Sequence, residues 1–353
     1  MRITGLDVIP FQMKRRDRAW KTSAYAATSV DALAVKVLTS DGLIGLGATS
    51  IFPTSGHTTE GFRSLLVQGI GPLLTGRDPF EIGSIMAAVQ AASHETYRIH
   101  TAIDLALHDL KAKALGVPVY ELLGGAYRKE VPVIRMVGLK EPILQARDAA
   151  ELVEHGYRYL KLKIGLDPNE DVQRVTEVRR AVGEDVTLTV DANGAYDIKT
   201  AIHVLRRLQP LQIAVAEDPV DDLDGMAQVS HAVDTPIMAD APVPTHADII
   251  EAIRRQTAEI VSLKVLKLGL LKAQKMRSTC EGAGLRYHLG GTATTRIVEA
   301  AALHLAVACP YNLFGCEIGE FEALENDLVG GLEIKDGKVR VPDAPGLGVE
   351  LLK

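Results

Sequence analysis

The chain has 353 residues, 47% of them hydrophobic and 24% charged, with a formal net charge of −6. That length holds one barrel of about 250 residues plus a smaller companion domain, and the mildly acidic balance, without any Lys/Arg-rich run, excludes a nucleic-acid-binding surface. No run of about 18 apolar residues offers a membrane span, MRITGLDVIPFQMKRRDRAW has no signal-peptide core, and Cys280, Cys309 and Cys316 have no framework spacing, so a soluble cytoplasmic protein is expected.

In chain order, the first forty residues read as antiparallel strands. A mostly apolar stretch, Asp31 to Leu38, meets the turn Ser40-Asp41-Gly42 and returns through Leu43 to Gly47. Two polar, small-residue-rich loops flank this hairpin: Arg15 to Thr28, expected to be mobile, and Phe52 to Gly61, with Pro53, Gly56 and His57. From Glu60 to Gly116 the pattern is helical. Its best stretch is Thr101 to Leu115, where Ile103, Ala106, Leu107, Leu110 and Ala114 recur at three- and four-residue steps before Gly116-Val117-Pro118 ends it.

After Gly124-Gly125 short strands alternate with helices. VPVIRM, YLKLKIG, VTLTVDANG, QIAVAEDP, TPIMADAP, EIVSLKVLKLG, LRYHLGG and FGCEIGE count as eight strands between Val131 and Glu320. Strand–helix units of about 25 residues imply parallel strands with crossover helices. An open doubly wound sheet is the rival, but no glycine-rich phosphate loop follows a strand. The expected fold is therefore α/β, a modified TIM (β/α) barrel over 126–323. An α+β capping domain over 1–125 precedes it, completed by the turn-rich tail 324–353.

Residues two apart on a strand share a face, which decides what enters the barrel. Lys161 and Lys163 share a face, Asp191 lines up with Thr187 and Thr189, and Glu217 with Val215. Asp240 follows Met238, and Lys264 follows Ser262. Each charge stands at the C-terminal end of its strand, where barrel enzymes keep their active sites. Three converging carboxylates repel unless a cation neutralises them, and hard oxygen donors in a compact site favour Mg²⁺, with Mn²⁺ also fitting.

These segments resemble, in order, those of the mandelate racemase and muconate lactonizing branch of the enolase superfamily. TAIDLALHDLKAKALGVPVYELLGG is similar to its last capping helix. YLKLKIG resembles its Lys-x-Lys strand, VDANGAY, AEDP and MADAPV its three ligand strands, and SLKVLKLG the strand bearing the opposing base of the muconate lactonizing subgroup. The resemblance implies Asp191, Glu217 and Asp240 as metal ligands, with Asn193 supporting the first. It implies Lys163 and Lys264 as acid/base catalysts on opposite substrate faces, and Lys161 as a contact for the carboxylate and developing enolate. The implied function is removal of a proton alpha to a carboxylate, by a racemase, epimerase or cycloisomerase. A dehydratase of a hydroxylated acid and a non-catalytic acid-binding barrel are the alternatives. Expected partners are a small-molecule carboxylate and further copies of the chain.

Departures from the family pattern narrow this. Lys264 stands where the racemases use an Asp–His pair, and Thr292 aligns with their histidine, which argues against acid-sugar dehydratases. Thr294 replaces a common glutamate, and FGCEIGE lacks the Asp-x-Asp by which dipeptide epimerases hold an ammonium. Lys267 and His288 read as structural. Arg135 late on the first barrel strand, Tyr25 and His57 on the two loops, and Glu317 on the last strand are the remaining candidates for substrate contact.

Overall fold

The computed structural model describes residues 1–52, 56–93, 97–311 and 314–352. Its N-terminal part is built on an antiparallel meander of β1 (Ile3–Arg15), β2 (Ser29–Thr39) and β3 (Ile44–Ile51). Both faces of β2 are covered: Ala32, Leu33, Ala34, Val35 and Val37 are all buried, which is why this stretch reads as continuously apolar. The helix Tyr97–Leu115 lies against β3 at very close range. Gly45 and Gly47 allow it, since a Cβ at either position would collide with the carbonyl oxygens of Ala106 and Ala102.

That helix is buried on its polar side as well, because it is clasped between the cap and the barrel. Thr101 Oγ1 donates to the Leu266 carbonyl at 3.0 Å, and the Asp104 carboxylate accepts from the amides of Leu270 and Leu271. Asp109 accepts from Leu46 (2.7 Å) and from Leu347 in the tail (2.8 Å). The three- and four-residue apolar spacing found the helix; its polar residues are spent on these junctions.

After β4 (Glu130–Pro132) comes a parallel sheet in simple order: β5 (Ile134–Val137), β6 (Tyr159–Lys163), β7 (Thr187–Asp191), β8 (Val215–Glu217), β9 (Ile237–Ala239), β10 (Ile260–Lys264) and β11 (Arg286–Gly290). Each pair is joined by a helix, in the manner of right-handed βα units. The register sets Lys163 beside Asp191 and Asp191 beside Glu217. Val215, Met238 and Ile260 form a small apolar floor inside the curl, with Phe314 against it. The charged residues stand one layer higher.

Seven strands form the ladder among the described residues, not eight. The expected eighth, FGCEIGE, contributes a single bridge, Cys316 to Val133. It still closes the curl: Glu317 N donates to the Leu289 carbonyl (3.0 Å), and Ile134 N to the Cys316 carbonyl (2.8 Å). Gly319, at φ +141°, turns the chain away before a longer strand can form.

The tail is shared between the two halves. β12 (Leu324–Glu325) pairs antiparallel with the end of β1, whereas Lys338–Arg340 pairs with β4 at the barrel entrance. No described helix is long and apolar enough to cross a membrane.

Candidate active site

The C-terminal ends of β6 to β10 bring the charged residues into one buried network. Lys161 Nζ lies 2.6 Å from Glu217, 2.8 Å from Glu317 and 3.2 Å from Asp191, at 1% exposure. Lys163 Nζ reaches Asp191 at 2.5 Å and Asn193 Oδ1 at 3.4 Å. On the far side, Lys264 Nζ lies 2.6 Å from Asp240 and 3.7 Å from Glu217. Asn193, in the left-handed conformation, donates its backbone N–H and its side-chain amide to Asp191 (2.8 and 3.2 Å), fixing that carboxylate.

Burial and mutual charge set the proton affinities. Burial opposes charge on Lys161, yet Glu217, Glu317 and Asp191 outweigh it and hold its pKa well above the usual lysine value. Burial likewise opposes charge on Asp191, and Lys163 with Lys161 overcomes it, holding the carboxyl near 2. Glu217 goes the other way, up to about 8, because burial and the neighbouring Asp191 and Glu317 exceed the help of Lys161. Lys264 is held above its ordinary value, its burial outweighed by Asp240 and Glu217.

Glu217, Asp218 and Asp240 each offer a carboxylate oxygen within 4.8 Å of one another, an arrangement able to hold a cation. Glu217 Oε1 is buried and has no hydrogen-bond partner among the described residues. An all-oxygen set with an orphaned acceptor suits a hard divalent ion. This cluster differs from the expected one, in which Asp191 stood in place of Asp218. Asp191 is drawn aside by Lys163, Lys161 and Asn193. Asp218, at φ +40°, already accepts from the amides of Asp240 and Ala241 (both 2.9 Å), so it braces the loop that presents Asp240. Asp191 is the last residue of β7 and stands on its interior face, whereas Asp218 lies just past the end of β8.

Above the network is a cavity of about 180 Å³ lined by Trp20, Tyr25, Phe52, Arg98, Met136, Lys163, Asn193, Lys264, Lys267 and Thr292, among others. Larger hollows lie elsewhere; the one of about 620 Å³ beside Arg16 and Glu151 contains none of the strand-end carboxylates or lysines. Tyr25 lines this cavity, tilted against Trp20 and edge-on to Phe52. His57 does not line this cavity; it is exposed and rests against Phe62. Pro53 of the same loop lies outside the described residues. Arg135 is a correction. It pairs with Leu160 rather than Lys161 in the register, faces away from the barrel interior, and is bound by Glu320 (3.2 Å) and Glu322 (3.1 Å). Glu317 is at the site but turned inward, accepting from Lys161 and from Gly291 N (2.9 Å).

Sequence reasoning missed three residues here. Lys267, read as structural, reaches Asp240 at 3.2 Å and lines the cavity. Trp20 and Arg98 come from the cap, and no strand period could have pointed to them. His288 lies lower, stacked on Phe314 and 3.5 Å from Glu317.

Residues 6–124 match the family model for the mandelate racemase / muconate lactonizing enzyme N-terminal domain, and residues 145–353 match the enolase C-terminal domain-like model. Muconate cycloisomerase 1 of Rhodococcus opacus is 34% identical over 340 residues, covering 93% of this chain and 91% of that protein. The hydrophobic dipeptide epimerase of Enterococcus faecalis is 33% identical over 329 residues, 91% of this chain and 92% of its own. Among solved structures, the dipeptide epimerase of Cytophaga hutchinsonii, complexed with Mg and dipeptide D-Ala-L-Val, superposes with a TM-score of 0.95 at 28% identity. It covers 100% of this chain and 97% of that one. With this match across cap and barrel, the chain belongs to the mandelate racemase/muconate lactonizing enzyme family of the enolase superfamily and is an isomerase.

Proposed function

We propose that the enzyme removes a proton alpha to a carboxylate and redelivers one, with racemisation, epimerisation or cycloisomerisation as the outcome. One observation carries this reading: Lys163 on β6 and Lys264 on β10 face the same cavity from opposite walls, with the carboxylates of β7, β8 and β9 between them. A site that only binds an acid needs no such opposed pair. The relatives named for cycloisomerisation and for epimerisation fit the same geometry.

Asp191, Glu217 and Asp240 are the residues that would hold Mg²⁺, and Asn193 would keep Asp191 aimed. Bound there, Mg²⁺ supplies electrophilic stabilisation of negative charge developing on the substrate carboxylate. Lys161, fixed among three carboxylates, adds a positive charge beside the same place and costs no reorganisation when the enolate forms. Lys163 takes a proton from one face and Lys264 gives one from the other. Trp20, Tyr25 and Phe52 wall the cavity and exclude water.

The test is deuterium incorporation from D₂O into a panel of carboxylic and N-acylamino acids of both configurations. Lys163→Ala is expected to block exchange from one enantiomer and Lys264→Ala from the other, each by about 100-fold or more, as for loss of a positioned acid/base. In a cycloisomerase only one lysine would govern exchange. If neither variant altered exchange or turnover, the two-base reading would be wrong. Removal of divalent ions should abolish exchange and Mg²⁺ restore it.

A further inference from the structure

We propose that Asp104 of the cap, helped by Thr101, is a positioning residue for the Lys264 half of the reaction, gripping from outside the barrel the turn that follows Lys264 and walls the cavity. This deepens the two-lysine reading above and rests on it for the role of Lys264.

The chain needs an outside hold at this point. The ladder ends at Lys264, opposite Gly290, and residues 265–268 form a single helical turn beyond it. That turn gives Leu266 and Lys267 to the cavity wall, and Lys267 shares Asp240 with Lys264 (3.2 and 2.6 Å). Gly269 then breaks the helix at φ +67°, ψ −177°, and a second helical run starts at Leu270.

A helix start leaves backbone N–H groups without partners, and the side chain of the residue before it commonly meets them. Gly269 has no side chain to offer. Asp104 supplies the carboxylate instead: Oδ2 accepts from Leu270 N–H and from Leu271 N–H (3.2 Å). The fit demands glycine, since a Cβ at 269 would lie 2.5 Å from Asp104 Oδ2. Asp104 is itself buried, with His108 Nδ1 3.3 Å from its Oδ1. Thr101, three residues earlier on the same helix and so on the same side, donates to the Leu266 carbonyl at 3.0 Å. Two side chains of one cap helix therefore grip the turn, one at its middle and one at its end.

The Lys163 half is held from within the barrel. Just after β6 the amides of Gly165 and Leu166 donate to Asp171 (both 3.0 Å), which stands on the helix Pro168–Val182. Gln145, on the helix Pro142–Glu154, donates to the Lys163 carbonyl at 3.2 Å. A carboxylate thus secures the chain after each lysine strand, but it belongs to the barrel behind Lys163 and to the cap behind Lys264. Loosening Asp104 should act on one wall of the cavity, whereas a general loss of stability would act on both.

Two measurements on the Mg²⁺-loaded protein test this. In the first, trace acetic anhydride labels the lysines, and mass spectrometry gives the rate at each. Asp104→Ala should speed labelling of Lys264 and Lys267 by about 5-fold or more relative to Lys163, as for local opening of one segment. Asp104→Asn should stay within about 2-fold of wild type, because its amide oxygen can still accept from both N–H groups. In the second, D₂O exchange is followed for each enantiomer of the N-acylamino acids used above. Asp104→Ala should slow exchange from the Lys264 face by about 10-fold or more and from the Lys163 face by less than about 2-fold, the scale of a lost positioning contact. If Asp104→Ala melts below the assay temperature, Thr101→Val takes its place, with the same one-sided pattern at about 3-fold. Equal changes at both walls, or no change at either, would overturn the proposal. One-sided labelling in a protein whose wild type exchanges from neither face would keep the grip and sink the two-lysine reading. Two-faced exchange in the wild type with even labelling in Asp104→Ala would do the reverse.

Discussion

The floor and the roof of the cavity are built differently. The floor is the ends of parallel strands, where each side chain is aimed by the two-residue alternation and neighbours are locked in register. The roof comes from the cap: a loop carrying Trp20 and Tyr25, Phe52, and one turn of a helix carrying Arg98. Ladder hydrogen bonds hold the floor. The roof is held by side-chain packing, with Trp20 over Gly138 and under the Arg15 guanidinium (3.7 Å), and Ser50 bonded to Thr294 across the junction (2.7 Å). In this arrangement the floor sets the chemistry and the roof selects what reaches it.

The sharpest way to break this comparison is to alter a floor residue and look for effects confined to the metal and the chemistry. Glu217→Gln is expected to weaken Mg²⁺ binding by at least about 100-fold, beyond what loss of an outer partner of a ligand costs. The fold should be little affected, because Glu217 stands above the apolar floor of Val215, Met238 and Ile260 rather than in it. Calorimetric titration of Mg²⁺ and a melting curve check both halves. A collapse of the fold would mean that the charged network, not the apolar layers, holds the strand ends together.

A roof substitution should do the opposite. A Cβ at Gly138 would lie 2.8 Å from Cδ1 of Trp20, too close for the ring to stay where it is. Gly138→Ala should therefore move Trp20 and raise KM by roughly 5- to 10-fold, the scale of a modest loss of positioning. Mg²⁺ affinity should not change. Steady-state kinetics beside the same metal titration would decide it, and a joint loss of metal affinity would erase the division between roof and floor.

The floor was legible in the sequence because strand alternation and strand-end position are local rules. Lys161, Lys163, Asp191, Glu217, Asp240 and Lys264 all follow from them, and the structure brings them together. Arg135 failed by one residue of phase: on a strand, a shift of one reverses the face, and it was Met136 that shared the side of Lys161. Asp218 was overlooked because its role depends on a positive φ, which turns the carboxylate back onto the amides of 240 and 241. The eighth strand was overcounted because FGCEIGE has the composition of a strand but, among the described residues, makes only a single bridge. Arg98 and Trp20 were out of reach for a different reason. Their position depends on how the cap docks, and that is fixed by long-range contacts such as Thr101 to Leu266.

The smallest expected effect lies where cap, barrel and tail are joined away from the mouth. His304, fully buried on the helix Arg296–Val307, accepts at Nδ1 from Tyr120 N–H (3.1 Å) and donates from Nε2 to the Leu347 carbonyl (3.2 Å). Both bonds require the neutral ring, because a second proton would sit on the nitrogen that must accept. Burial accordingly lowers its pKa from 6.5 to about 4. The unfolded chain therefore binds this proton more readily than the folded one between those values, and stability is lost as the pH falls from about 6.5 towards 4. From pH 7 to pH 6 this one group should remove about 0.7 kcal/mol. Urea unfolding at the two pH values would measure it, with His304→Gln as the comparison, since its amide can accept and donate in the same places without titrating. An equal pH dependence in both proteins would show that the junction does not depend on a neutral His304.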